Sequence, residues 1–291
     1  MREKMKRICV IGGANADIAA TTMKEFVPND SNPGTIRLMP GGVGRNIAHN
    51  LALLGNEVVF LTLFGGDTFG LFTADSCRKV GVNISLCDNA PVGTRSCFLS
   101  INNCDGEMVG GVSDMRTADG ITPEWIASKL SKLDAVDAFV ADTNIPVESL
   151  AYLIDQVVPL YVDAVSGPKA PKIIEAMRLS RKKSLFALKC NQLEWEVLRE
   201  VKGIQRCFIS LGADGLEVLE NGQSTRFDAL PCKEVVNTTG AGDALMAGIV
   251  HAGPEAPLQV AATTGLRCAK ITVETPDTVN NRIKELYEQI P

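Results

Sequence analysis

Apolar positions along this chain follow two regular patterns and one irregular one. Short apolar runs without helical period occur at 7–11, 58–63, 138–141, 160–162, 185–188 and 206–211, each bounded by Gly, Asp, Asn or Ser. Runs of this length suit strands buried on both faces of a parallel sheet. Between them the spacing becomes helical. Ile47, Leu51 and Leu54 lie at i, i+4 and i+7, with Gly55 as the stop. Further helices are predicted over 71–80, 123–133, 147–157, 170–179 and from Glu194 to about Val201. Leu245, Met246, Ile249 and Val250 mark another, stopped by Gly253-Pro254. From Ile121 onward strands and helices alternate, which predicts a parallel sheet with right-handed crossovers. Near its end, 216–219 and 223–227 read as a hairpin turning at Asn221-Gly222.

The irregular pattern lies in the first half. Residues 18–38 show no helical period and are rich in turn formers: Pro28, Asn29, Asp30, Asn32, Pro33 and Gly34. Residues 95–102 alternate roughly and 108–112 are strand-like, as expected of antiparallel strands with one open face. Residues 82–86 also read as strand-like. The prediction is an α/β chain over residues 1–291, one domain with a small second sheet built from about 18–38 and 95–112.

Charge and composition narrow the partners. A net charge of −5 and an aromatic content of 5% argue against a nucleic-acid partner. Nine Cys without a Cys-x-x-Cys pair read as reduced thiols in a cytoplasmic protein. The 8–11 apolar run after the charged start is too short for a signal segment, and no stretch has the length of a membrane span. With two His, a His-rich metal site is excluded.

In a parallel sheet the polar residues that end the strands collect along one edge. Asp142, Asn144, Asp163, Lys189, Asn191, Glu194 and Asp214 all do so. Asn15 and Asp17, just past the first strand, share a face if the backbone is extended, and an amide beside a carboxylate suits hydroxyl groups. The alternative there is an Asx turn. Gly12-Gly13-Ala14-Asn15 lacks the spaced glycines of a dinucleotide fingerprint. Gly41-Gly42-Val43-Gly44-Arg45-Asn46 permits close backbone approach; Asn46 is either a helix cap or a ligand-facing amide. In Asn237-Thr238-Thr239-Gly240-Ala241-Gly242-Asp243 a glycine turn leads into a helix, whose first N–H groups can receive an anion. An acid in that position would repel a phosphate unless it takes a proton from a group attacking it.

These stretches together resemble the signatures of the ribokinase-like (PfkB) sugar and nucleoside kinases. The resemblance rests on the glycine motif 41–48, the 237–243 motif, Asn15-Ala16-Asp17, Asn191-Gln192-Leu193-Glu194 and Ser210-Leu211-Gly212, in that family's order along nearly the whole chain. It implies a three-layer α/β/α fold with a mainly parallel central sheet and a small β-sheet lid, and an ATP-dependent kinase using Mg2+. It implies Asp243 as the base, with Gly240, Ala241 and Gly242 as the anion hole. Asn15, Asp17, Gly42, Asn46, Asp142 and Asn144 would face the acceptor. Lys189, Asn191, Ser210, Gly212 and Gly215 would face the nucleotide, and Glu194 would reach the metal through water. Related kinases often dimerise through the lid, which implies a homodimer here. Asn237 stands where the family usually has Asp; it keeps an oxygen and loses the charge, which weakens the expectation of potassium (K+) activation. Asn237, Val43 and Arg45 look like the pseudouridine kinase branch, implying 5′-phosphorylation of pseudouridine. Another nucleoside or a free sugar such as ribose is the alternative, and a non-catalytic sensor a further one. Few basic residues (Arg37, Arg45, Arg95) could meet a second phosphate. Ser113, Asp114, Asp142, Thr143 and Asn144 are candidates to accept the extra ring N–H of pseudouridine.

Overall fold

The structure, a computed structural model, describes residues 5–289. The 1–291 expectation therefore extends at both ends outside the described residues. The chain opens with β1 (Arg7–Ile11), then β2 (Asn15–Thr22) and β3 (Gly34–Gly41), and returns through α1 (Val43–Leu53) to β4 (Glu57–Leu61). β5 (Leu63–Phe64), α2 (Thr68–Lys79) and β6 (Asp88–Asn89) follow, then β7 (Cys97–Asn102) and β8 (Met108–Asp114). After α3 (Pro123–Leu130) the predicted alternation is observed: β9 (Ala138–Asp142), α4 (Val147–Gln156), β10 (Leu160–Asp163), α5 (Pro171–Leu179), β11 (Leu185–Asn191), α6 (Gln192–Leu198) and β12 (Ile204–Ser210). The hairpin β13 (Leu216–Glu220) and β14 (Gln223–Phe227) precedes α7 (Ala241–Ala252), α8 (Leu258–Val273) and α9 (Lys284–Gln289). Asn221 and Gly222 both hold positive φ, the geometry that a two-residue hairpin turn needs.

Eight strands form the central sheet in the order β14-β13-β12-β11-β10-β9-β1-β4, parallel except at the terminal hairpin. The chain runs from β1 to one side and later to the other. The carboxyl ends of β1 and β9 therefore flank a switch point, where open α/β sheets bind ligands. Successive side chains go to opposite faces. Ile8, Val10, Val58 and Phe60 pack with α1, α7 and α8 on one face; Cys9, Ile11, Val59 and Leu61 pack with α3, α4 and α5 on the other. Each such fully buried aliphatic contributes about 1.5–3 kcal/mol. This is the expected three-layer architecture.

β3, β2, β7 and β8 form a separate four-stranded sheet, in that order. Its first two strands begin directly after β1 and end directly before α1. Residues 82–86 are not a strand. Val82 is buried by packing, and only a bridge from Asn83 to Val59 touches the main sheet.

Among the described residues no helix is long and apolar enough to cross a membrane. Of the cysteines, Cys9, Cys77, Cys190, Cys207 and Cys268 are buried, Cys87, Cys97 and Cys232 half-buried, and Cys104 exposed. Burial raises the thiol pKa of Cys77 to about 11 and of Cys268 to about 12.

Candidate active site

A cavity of about 960 Å³ runs along the carboxyl edge of the sheet, from Asn15, Asp17, Gly42 and Asn46 to Asn191, Ser210, Gly212 and Gly215, with Gly240 to Asp243 between them. Strand ends and the starts of α1, α6 and α7 converge there because parallel strands all point the same way.

Gly240, at φ 86, caps α7, and a Cβ on it would lie 2.0 Å from the Thr278 carbonyl oxygen. A Cβ on Gly242 would lie 2.6 Å from Lys189 Nζ. The missing side chains thus let a cation lie against the positive end of a helix, a combination suited to holding an anion. Lys189 in turn pairs with Asp163, Nζ to Oδ2 at 3.1 Å, with both side chains buried. Burial works against the Lys189 ammonium, but Asp163, Asp243 and Glu194 outweigh it and raise its pKa.

Asp243 lies in the first turn of α7 and is 8% exposed. Its Oδ2 accepts from Asn46 Nδ2 at 2.7 Å. Burial, then the Asp163 charge, lift its pKa to about 7, against the pull of Lys189, Asn46 and Arg45. A carboxyl group that changes charge near neutral pH is suited to accept a proton. Asn46 is not the cap of α1. Gly42 occupies that position at φ 96, which places Asn46 one turn inside, facing α7.

Asn15 and Asp17 lie on extended β2 rather than in a turn, and Asn15 Nδ2 donates to Asp17 Oδ1 at 2.5 Å. Burial raises the Asp17 pKa, opposed by Asn15 and Arg45. Gly41 faces Asn15 across β3; a Cβ there would lie 2.1 Å from Asp17 Oδ2.

At the other end, Asn191-x-x-Glu194 forms a reciprocal cap on α6. Asn191 Oδ1 accepts from the Glu194 backbone N–H, while Asn191 N and Nδ2 donate to Glu194 Oε2 and Oε1, each at 2.8 Å. Gly212 and Gly215 both have positive φ, and a Cβ on Gly215 would lie 2.1 Å from the Phe227 carbonyl oxygen. Ser210 Oγ donates to the Cys190 carbonyl at 3.3 Å. Among the described residues no group of three or more His, Cys, Asp and Glu is arranged to hold a metal. Asn237 Oδ1 accepts from the Thr239 N–H at 3.0 Å, so its oxygen already has a partner.

Asp142 is a correction. It does not line the cavity: it is fully enclosed, its Oδ2 accepting from the N–H groups of Gly13 (2.9 Å) and Gly44 (2.7 Å) and its Oδ1 from Asn144 (2.8 Å). It ties the ends of β1 and β9 to α1. Thr143 is likewise buried and donates to the Ala164 carbonyl, and Asp114 is taken by Arg116. Of the five residues considered as base acceptors, Asn144 lines the cavity. Arg37 pairs with Asp277 and Arg95 with Asp67, while Arg45 is enclosed.

Lys169 and Val165 are among the cavity residues that belong to none of the motifs. Lys169 Nζ donates to Asn144 Oδ1 at 2.5 Å. Val165 holds φ 66, and the Ser166 N–H bonds the Ala164 carbonyl at 2.7 Å, which makes Val165 the centre of a three-residue turn. A β-branched residue in that region is strained, and such strain persists where surroundings enforce it. The pattern carried one signal for Lys169: a cation just after a strand end already rich in polar residues.

Residues 5–285 match the pfkB family carbohydrate kinase family. The pseudouridine kinase of Escherichia coli (strain K12) is 35% identical over 268 residues, covering 86% of this chain and 84% of that protein. A carbohydrate kinase from Agrobacterium tumefaciens superposes with a TM-score of 0.80 at 27% identity, covering 99% of this chain and 98% of the other. A ribokinase from Thermotoga maritima, at 18% identity, shares the fold with a TM-score of 0.79 over 98% of this chain and 100% of its own. The chain belongs to the pfkB family of carbohydrate kinases, phosphotransferases of ribokinase-like α/β fold that use ATP and a divalent metal ion.

Proposed function

We propose that this kinase transfers the γ-phosphoryl group of ATP to the 5′-hydroxyl of a ribonucleoside, with pseudouridine the favoured acceptor and Mg2+ the metal. The observation that carries the reading is Asp243, buried in the first turn of α7 with Asn46 donating to it and Lys189 beside it. Its raised pKa puts a proton acceptor near neutrality beside an anion-holding helix end. The pseudouridine preference draws on the 35% identical relative.

In this reading Asn15 and Asp17 hold ribose hydroxyls, and Asp243 takes the proton of the attacking hydroxyl. The N–H groups of Gly240, Ala241 and Gly242 stabilise the charge on the transferring group, as does Lys189. Phosphoryl transfer needs positioning and charge stabilisation above all, and this donor set supplies both. The residues fit a triphosphate: a cradle that tolerates no Cβ, a helix start and a buried ammonium. Glu194, whose oxygens each accept from Asn191, would hold the metal indirectly through water. ATP and the metal provide the electrophilic phosphorus. Asn144 and Lys169 face the base: an ammonium suits a ring carbonyl, and the Asn144 oxygen has a second lone pair for a ring N–H.

We further propose a homodimer through the small sheet. β3 and β8 are its edges, and Ile36, Leu38, Met108 and Val112 on them are exposed. Open edges with apolar residues are usually paired or covered.

The test is ATP consumption with ribonucleosides and free sugars, followed by competition between pseudouridine and uridine at equal concentration. Faster phosphorylation of pseudouridine is expected. Equal use of the two, or preference for uridine, would remove the pseudouridine assignment; turnover of ribose alone would remove the nucleoside assignment. Binding without turnover of any acceptor would identify a sensor.

A further inference from the structure

Arg45 is the largest fully buried side chain of the fold, 1% exposed, and has no carboxylate within ion-pair distance among the described residues. A buried cation without a direct counter-ion is costly, so its partners indicate what it is kept for. Nε donates to the Gly41 carbonyl at 3.3 Å and NH2 to the Pro40 carbonyl at 2.5 Å. Both carbonyls belong to the end of β3, where the small sheet returns to the main body. NH1 meets His49 Nδ1 at 3.1 Å. Burial and the Arg45 charge push the His49 pKa down to about 3, so its ring is a neutral acceptor at working pH. NH2 also donates to Asn46 Oδ1, and Thr278 Oγ1 lies 3.4 Å from that same oxygen.

An amide whose oxygen is held by a guanidinium and a hydroxyl must present its NH2 on the other side. That side holds Asp243 Oδ2, 2.7 Å from Asn46 Nδ2. Without Arg45 the amide could turn its oxygen to accept from the protonated carboxyl, which would favour the un-ionised form of Asp243. We propose that Arg45 is a positioning residue that orients the Asn46 amide toward Asp243 and couples the end of β3 to that carboxylate. The proposal rests on Asp243 being the proton acceptor. The charged groups that face Asp243 are Asp163 from β10, Lys189 from β11 and Arg45 from α1; Asp163 disfavours its ionisation and the two cations favour it.

The experiment follows the Asp243 carboxyl by NMR in ligand-free protein labelled with carboxyl-13C aspartate, its resonance identified by its loss in Asp243→Asn. In Arg45→Met the titration should move up by about one pH unit, because a nearby cation has been removed. In Arg45→Lys, which keeps the charge and loses the planar fork, it should stay near the parent's. With the acceptor found by the substrate panel, Arg45→Met should lower kcat at least tenfold with KM changed less than threefold, and the acidic limb of the kcat/KM profile should move with the NMR titration. Arg45→Lys should restore the limb and only part of kcat. If neither variant folds, the parent decides: the shifts of the Asn46 side-chain NH2 protons, assigned through their loss in Asn46→Asp, should follow the Asp243 titration, since Asn46 Nδ2 donates to that carboxylate. Asn46 NH2 shifts that do not follow the Asp243 titration, or an Asp243 titration in Arg45→Met matching the parent's, overturn the proposal whatever the acceptor is. A panel without nucleoside turnover removes only the nucleoside reading.

Discussion

Replacing Asp243 by Asn should make the protein more stable, and increasingly so as pH rises. In the fold the carboxyl has its pKa raised from 3.8 to about 7, first by burial and then by Asp163. The folded state therefore holds its proton longer than the unfolded chain does. Below about pH 4 both states are protonated and ionisation costs nothing. As pH rises toward 7 the unfolded chain ionises while the fold resists, and stability falls; above 7 the cost is complete. At about 1.4 kcal/mol per pH unit, the interval from 3.8 to about 7 corresponds to about 4 kcal/mol in all. About 2–3 kcal/mol of this accrues between pH 5 and pH 8. Asn keeps an oxygen for the Asn46 donor and never ionises, so its stability lacks this dependence. At roughly 2 °C per kcal/mol for a chain of this size, its melting temperature relative to the parent should gain about 5 °C from pH 5 to pH 8. Turnover should fall about 10²–10⁴-fold, the loss of a general base. Thermal melts of both ligand-free proteins at the two pH values check the stability, and a coupled ATP assay checks the rate. A difference in melting temperature that is flat or shrinks from pH 5 to pH 8 would refute the argument that Asp243 is held protonated by burial.

Asp17→Ala should weaken ribonucleoside binding by about 1.5–3 kcal/mol, measured by calorimetry. The loss should be smaller for the 2′-deoxy analogue, and equal losses would mean that Asp17 does not read the ribose. Lys189→Met leaves Asp163 buried without its cation and should cost about 3–5 kcal/mol in urea unfolding, with a higher KM for ATP; an unchanged midpoint would show the pair to be unimportant to the fold. Light scattering at micromolar concentration should report a dimer that Ile36→Glu converts to monomer without change in melting temperature, since Ile36 is 75% exposed; a monomeric parent would rule out pairing through the small sheet.

The sequence was most informative where chemistry restricts residue type. Gly240, Gly242 and Gly41 each stand where a Cβ would strike a neighbour, so their composition signalled close approach before any contact was known. Strand–helix alternation placed the strand ends on one edge, and with them Asp17, Lys189, Asn191 and Asp243. What it could not supply was register and direction. Asn46 follows a glycine run and has the composition of a cap, but a positive φ at Gly42 starts the helix four residues earlier. Asp142 ends a strand exactly as its neighbours do; that its oxygens turn inward to three backbone N–H groups is a tertiary fact without local trace. Val82 is buried as a strand residue would be, and apolar pattern alone does not distinguish pairing from packing. Lys169 belongs to no motif and reaches the cavity because the turn at Val165 redirects the chain.

The distribution of thiols offers a natural spectroscopic handle. Five cysteines are shut inside the two core layers, where lack of access keeps them from alkylating reagents, and burial raises the thiol pKa of Cys77 and Cys268 as well. Cys104 is exposed in the turn between β7 and β8, at the outer tip of the small sheet. A brief maleimide pulse at neutral pH should therefore mark that tip preferentially in the unaltered chain. A dye or spin label there would report the approach of the small sheet to the cavity as acceptor and nucleotide are added, without the substitutions that usually precede such an experiment.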